Sequence, residues 1–181
     1  MPWKLDPLHT QVEFAAKHFG MMTVRGRFND VVTSGHVDVE HPENSEIDVE
    51  ISVASLNTNN AQRDNDLRSS YFLELDKYPT ITFKTTSIEP AGQDQYSVTG
   101  DLTIKGITRP VTLRATRYGE LNDPNMGHRV VYSAEGEINR KDFGMEFDMF
   151  ADNRLVVGHE IKISIETEIV EQPAAVAAAT A

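Results

Sequence analysis

A chain of 181 residues suits one domain and can bury a substantial core unaided, and its 28 acidic against 17 basic residues give a formal charge of −11 that repels a phosphate backbone. No nucleic acid partner is therefore expected. The absence of cysteine excludes disulfides, iron–sulfur clusters, a thiolate nucleophile and cysteine-ligated zinc.

The N-terminus, MPWKLDPLHTQVEFAAKH, has no basic leader ahead of an apolar run, so the expectation is a cytoplasmic protein without a secretory signal. No apolar stretch approaches the roughly 18 residues of a membrane span. Val12, Phe14, Ala16 and His18 then alternate with Gln11, Glu13 and Lys17, the period of a strand with one dry face. The period continues through Met22, Val24, Gly26 and Phe28, then Val37 and Val39, then Ile47, Val49, Ile51 and Val53, with turns expected at Ser34-Gly35 and over His41–Glu46. Asn60–Phe72 breaks the period, since Ala61, Leu67 and Phe72 are too sparse for a strand, and predicts one short helix near residues 60–70 covering an end of the sheet.

Strands resume with Ile81 and Phe83, a turn at Pro90-Ala91-Gly92, and Tyr96, Val98, Leu102 and Ile104. In GDLTIKGITRPVTL, Gly100–Leu113, Gly106 turns the chain between Lys105 and Arg109, and Val111 and Leu113 carry the alternation back. Turns at Asn122–Gly127 and Asp152-Asn153 precede a last strand in which Ile161, Ile163, Ile165 and Ile169 interleave with Lys162, Ser164, Glu166 and Glu168. A register slip of one residue would put that whole row into water. Residues 171–181, mostly alanine after Pro173, form a flexible tail beyond a domain spanning 1–170.

The fold class is all-β. About eight strands joined by short turns are mostly antiparallel and must protect their edges, which closure into a barrel achieves, although a two-sheet sandwich fits the alternation nearly as well. A small barrel either fills its interior or leaves room for one ligand. The inward row is expected to contain Val12, Phe14, Ile51, Phe83, Leu102, Ile104, Val111, Leu113, Ile163 and Ile165, and Phe143 is a further candidate for lining or core.

Among polar candidates, His18 continues the inward row, either orienting a head group or serving as a hydrogen-bonded core histidine. Arg63 and Asp64 could touch a head group at a barrel mouth or cap the helix, and Asn139, Arg140 and Asp142 suit a structural turn. The histidines show no helical i,i+4 or His-x-His pairing, so no metal is expected. Neither a Gly-x-Ser-x-Gly elbow nor a phosphate-cradling glycine loop occurs, so no catalytic residue and no cofactor is assigned. The alternative is a hydrolase or isomerase using Asp64, Asp66 or His18 as acid or base.

Several stretches together resemble the YceI-like family, lipocalin-like barrels described as polyisoprenoid-binding. They are WKLDPLHTQVEFAAKHFG, the Gly26-x-Phe28 of VRGRFND, SLNTNNAQRD, KYPTITFKTTSI, GDLTIKGITRPVTL, INRKDFGM and VGHEIKISIE, in that order from Trp3 to about Val170. The departures are Asn65, where the family usually has histidine, Tyr71, where an acid usually precedes the phenylalanine, and His159, where an acid usually precedes the glutamate. The resemblance implies a lipocalin-like barrel whose dry faces line an elongated pore for an isoprenoid lipid, a polyprenyl phosphate or an isoprenoid quinone, and the lack of a nucleophile–base constellation leads to the expectation that it is bound without turnover. The resemblance also implies a homodimer.

Overall fold

The computed structural model describes residues 3–172; Glu171, expected to begin the tail, ends the last strand, and the rest of the expected tail lies from 173 onward outside the described residues. The strands are β1 (Trp3–His18), β2 (Met22–Phe28), β3 (Val31–His36), β4 (Glu46–Ser52), β5 (Leu56–Asn57), β6 (Thr80–Gly92), β7 (Gln95–Ile104), β8 (Ile107–Asp123), β9 (Gly127–Asn139), β10 (Phe150–Ala151), β11 (Arg154–Leu155) and β12 (Val157–Glu171). One α-helix, α1 (Ala61–Arg68), interrupts them. No helix among the described residues is long and apolar enough to cross a membrane.

The main sheet runs β3-β4-β6-β7-β8-β9-β12-β1-β2-β5, with antiparallel neighbours throughout, and β10 and β11 form a separate small hairpin. The strands at its two ends are close in sequence. β2 pairs with the second half of β1, the chain breaks at Asn29-Asp30, and β3 then pairs with β4. Just beyond β3, Val37 meets Trp3 of β1 in a single antiparallel bridge. The sheet is thus rolled into a barrel, not split into a sandwich. With β2 and β3 taken as one bent stave and the two-residue β5 set aside, the staves number eight.

Two turns fall elsewhere than expected. Ser34-Gly35 lies inside β3, a strand that the alternation did not reveal, and Val37 and Val39 belong to the connection after it. Gly35 has φ +111, and a Cβ there would stand 2.1 Å from the Glu46 carbonyl oxygen, so the glycine permits close approach of β3 and β4. Pro90-Ala91-Gly92 ends β6, and the turn follows at Gln93-Asp94. A glycine in a strand and a glycine in a turn look alike in sequence. The Lys105-Gly106 corner does form where expected, with both residues at positive φ between paired Ile104 and Ile107, as a tight hairpin requires.

Helix α1 has no apolar stripe, so polar anchors hold it on the barrel end. Asn60 caps it by accepting from the Arg63 backbone N–H at 2.9 Å, and Arg68 donates to the carbonyls of Ala54 and Leu56. The buried Asp64 carboxylate accepts from the Thr58 backbone N–H at 2.8 Å and from its hydroxyl. Beneath this end, Val53, Leu56, Phe72, Leu73, Ile138, Phe143 and Met145 pack against Val12, Ile51, Leu102 and Ile104 in one core. Arg140, 1% exposed, donates to the carbonyls of Met145, Val157 and Gly158 and to Asp148, with its guanidinium 5.7 Å from the centre of the Phe72 ring.

Candidate ligand cavity

The half of the barrel away from α1 contains a cavity of about 160 Å³. Two large side chains of its wall, Phe83 and Leu113, pack against glycines. A Cβ on Gly100 would stand 2.4 Å from the Phe83 ring, and one on Gly136 would stand 2.4 Å from a Leu113 methyl. Next to them Ala115 and Ala134 pair across β8 and β9, so small side chains face the interior where larger ones would fill it. Val49, Val98 and Ile165 complete the wall, and Leu5, Val37 and Ile169 close it at the far end above a second small core of Val39 and Val130.

Three of the hydroxyls around this space are already engaged. The Thr85 hydroxyl accepts from the Ile47 N–H at 2.8 Å, the Ser45 hydroxyl accepts from the Asp38 N–H at 2.9 Å, and Thr167 shares a 2.7 Å hydrogen bond with Thr10. Asp38 accepts from the backbone N–H groups of His41 and Glu40, which holds its carboxyl below the usual range. The surface left to a ligand is apolar, and such a cavity favours an apolar occupant.

A more polar rim lies on β7, β8 and β9. Tyr96 and Tyr132 line the cavity opposite Ala115 and Arg117 respectively, and among the described residues neither phenol makes a hydrogen bond. Burial pushes the Tyr132 phenol up, so it stays a donor. The β8–β9 pairing shifts between Arg117 and Gly119, which puts Tyr118 outside. Arg117 pairs with Glu120, Glu120 with His128, and His128 Nδ1 lies 2.9 Å from Glu171. Glu120 and then Glu171 raise the pKa of His128, whose ring meets Trp3 edge-on at 4.7 Å.

Of the residues expected to bind a ligand, Phe83, Leu113 and Ile165 line the cavity. Val12, Ile51, Leu102, Ile104 and Phe143 lie in the packed core under α1, with Phe14, Val111 and Ile163 against it. His18 lies 2.9 Å through Nδ1 from the Val156 carbonyl, outside the cavity. Arg63 donates to the Thr58 hydroxyl and carbonyl at 2.8 and 2.7 Å, so it and Asp64 both fasten the helix. Neither Asp64, Asp66 nor His18 lines the cavity, and the three are not brought together there.

Asp6, His9 and Glu168 cluster closely enough to suggest a cation site. Arg129 already occupies it, donating to Asp6 at 3.1 Å and to Glu168 at 2.7 Å. The lining residues that alternation did not single out include Leu5, Ala115, Tyr132 and Ala134. Their available signal was the pair of small residues in RATRY and YSAEG, which becomes informative only once β8 and β9 are set in register.

The YceI-like domain model matches residues 3–169. A UPF0312 protein of Pseudomonas paraeruginosa is 38% identical over 158 residues, covering 87% of this chain and 81% of its own. Protein YceI of Escherichia coli O157:H7 is 38% identical over 164 residues, covering 91% and 83%. Among solved structures, a Campylobacter jejuni YCEI protein superposes with TM-score 0.73 at 29% identity over 86% of this chain and 90% of that one. Burkholderia cenocepacia BcnA superposes at 0.79 with 23% identity over 91% and 99%, and a polyisoprenoid binding domain from Saccharophagus degradans at 0.66 with 17% identity over 95% and 99%.

Proposed function

The chain belongs to the YceI-like family, and from that premise and its apolar cavity we propose that it binds an isoprenoid lipid, a polyprenyl phosphate or an isoprenoid quinone, and carries or sequesters it without turnover. The carrying observation is a cavity walled almost wholly by apolar side chains, in which Thr85, Ser45 and Thr167 are engaged by the protein itself and the phenols of Tyr96 and Tyr132 are left uncommitted. A domain of the same fold in Saccharophagus degradans is described as polyisoprenoid binding, which supports the reading. The uncommitted phenols of Tyr96 and Tyr132 suit the polar end of such a lipid, and a non-catalytic role accords with a cavity that neither Asp64, Asp66 nor His18 lines. The homodimer and the cytoplasmic location belong to the same proposal.

Native mass spectrometry after mild purification, followed by solvent extraction, tests it. A prenyl lipid released in stoichiometric amount is the expected result. A protein that is empty as isolated and retains neither geranylgeraniol nor a short-chain quinone on gel filtration would end the reading. Incubated prenyl phosphates and quinones should be recovered unchanged. Conversion that disappears in Asp64→Asn or His18→Gln would favour the enzyme.

A further inference from the structure

The cavity is too small for the ligand just proposed. Its volume, about 160 Å³, is close to the roughly 150 Å³ of an engineered apolar cavity that accepts one benzene, so it encloses about one isoprene unit. Five carbons at about 0.8 kcal/mol each give roughly 4 kcal/mol before ordering costs are subtracted, too little for firm retention. The rest of a long chain must bury its surface elsewhere.

Ladder pairing is missing along a seam beside this cavity, where β1 and β3 run close together. The β1–β2 ladder ends at Val12 and Phe28, and the next contact along the same line is the bridge between Trp3 and Val37, nine residues further on each strand and in the same register. Between them, β1 and β3 lie edge to edge with no paired residues among those described. On the β1 side the pairing with β12 shifts between Leu5 and Thr10, and this irregular stretch contains Pro7, which has no N–H to offer a neighbouring strand. Leu5 and Val37, at the bridge, are themselves cavity lining.

Each lip of the gap carries one bare aliphatic side chain. Leu8 and Val32 stand on the two facing edges of the seam, and these are 87% and 60% exposed, the most exposed large aliphatic side chains apart from methionine among the described residues. An unpaired edge flanked by bare aliphatics invites an occupant. We propose that the seam between β1 and β3 is a lateral slot that admits a prenyl chain and holds the length the cavity cannot enclose, with the Trp3–Val37 bridge as its end stop. The occupant's class follows from the volume shortfall and from the absence of charge on Leu8 and Val32. The slot rests on the lipid reading, and its test keeps the two apart.

The chain has no cysteine and a single tryptophan, Trp3, which stands at the end of the seam. Lys4→Cys with His36→Cys, the next pair in that register, gives a reversible staple, and Trp3 emission reports arrival of geranylgeraniol in stopped flow. Uptake and release in the oxidised protein should slow by at least about tenfold and recover on reduction. A control staple, Thr99→Cys with Thr112→Cys, spans a ladder that is already paired and should change neither. Separately, Leu8→Asn with Val32→Asn should weaken geranylgeraniol about tenfold, the loss of roughly two buried methylene groups, and leave prenol, a single isoprene unit, unaffected. If wild-type protein retains geranylgeraniol but the staple leaves its exchange rate unchanged, the slot is wrong and the lipid reading stands. If wild-type protein retains none, both fall. If it sediments as a dimer that the staple dissociates, the seam belongs to a second copy of the chain and the slot is overturned.

Discussion

The half of the barrel under α1 and the half beyond Phe83 and Leu113 are built from the same staves with the same alternation, yet the first is filled and the second is hollow. The difference comes from what the connections insert. On the helix side, the stretch between β4 and β6 contributes Val53, Leu56, Phe72 and Leu73, and the one after β9 contributes Arg140, Phe143 and Met145, all buried. At the other end the cover is Val39 from one connection and Trp3 from the start of β1, while Ala115 and Ala134 face each other in the wall. Alternation therefore decides which side chains point inward, and the loops decide whether the interior is closed.

The comparison breaks most severely at Arg140. Arg140→Ala removes the donor to three carbonyls and to Asp148 in a site 1% exposed, so the protein should lose about 3–5 kcal/mol in urea unfolding. A loss under about 1 kcal/mol would mean that the helix end is not the packed half.

A pair of enlargements sharpens the contrast. Ile104 is 6% exposed within the filled core, so Ile104→Trp should overpack it and cost about 1–3 kcal/mol. Ala134→Leu adds volume where there is space, so its thermal midpoint should hold or rise while geranylgeraniol retention falls. The opposite outcome at the two positions would exchange the filled and hollow halves.

Titration should separate the ends by direction. Asp148, beside Lys141, His159 and Arg140, is held well below the ordinary carboxylate value of 3.8, so its stabilisation is present above that pH and is lost as pH falls further. His128, facing Glu120 and Glu171 with Arg117 beyond and Trp3 on its ring, is raised above 6.5. Its contribution is complete below that pH and is lost as pH rises through the raised value. In pH-dependent unfolding, His128→Gln should remove the decline on the alkaline side and Asp148→Asn should remove the decline on the acid side. The smallest effect belongs to neither end. Lys84 and Asp48 are 71% and 49% exposed, so Lys84→Ala should change stability by less than about 0.5 kcal/mol.

Period-two alternation was enough to identify an all-β chain, the single helix near Asn60 and the inward sense of Val12, Phe14, Leu102, Leu113 and Ile165, because each depends on the pleat of one strand and the burial of one face. It also located the Lys105-Gly106 corner, since two successive positive φ angles are a local demand. The Ser34-Gly35 turn was misplaced because that glycine answers a contact with Glu46 rather than a change of direction. Arg63 and Asp64 could be head-group contacts or helix fasteners in sequence, and the position of Thr58 makes them fasteners. Which inward residues are core and which line a cavity depends on what arrives from distant parts of the chain. Phe143 and Phe72 come to fill the space under Ile104, and nothing comes to fill the space beside Ala134. Volume left over between strands is a sum over many residues far apart in sequence, so no local pattern contains it and only the assembled barrel decides it.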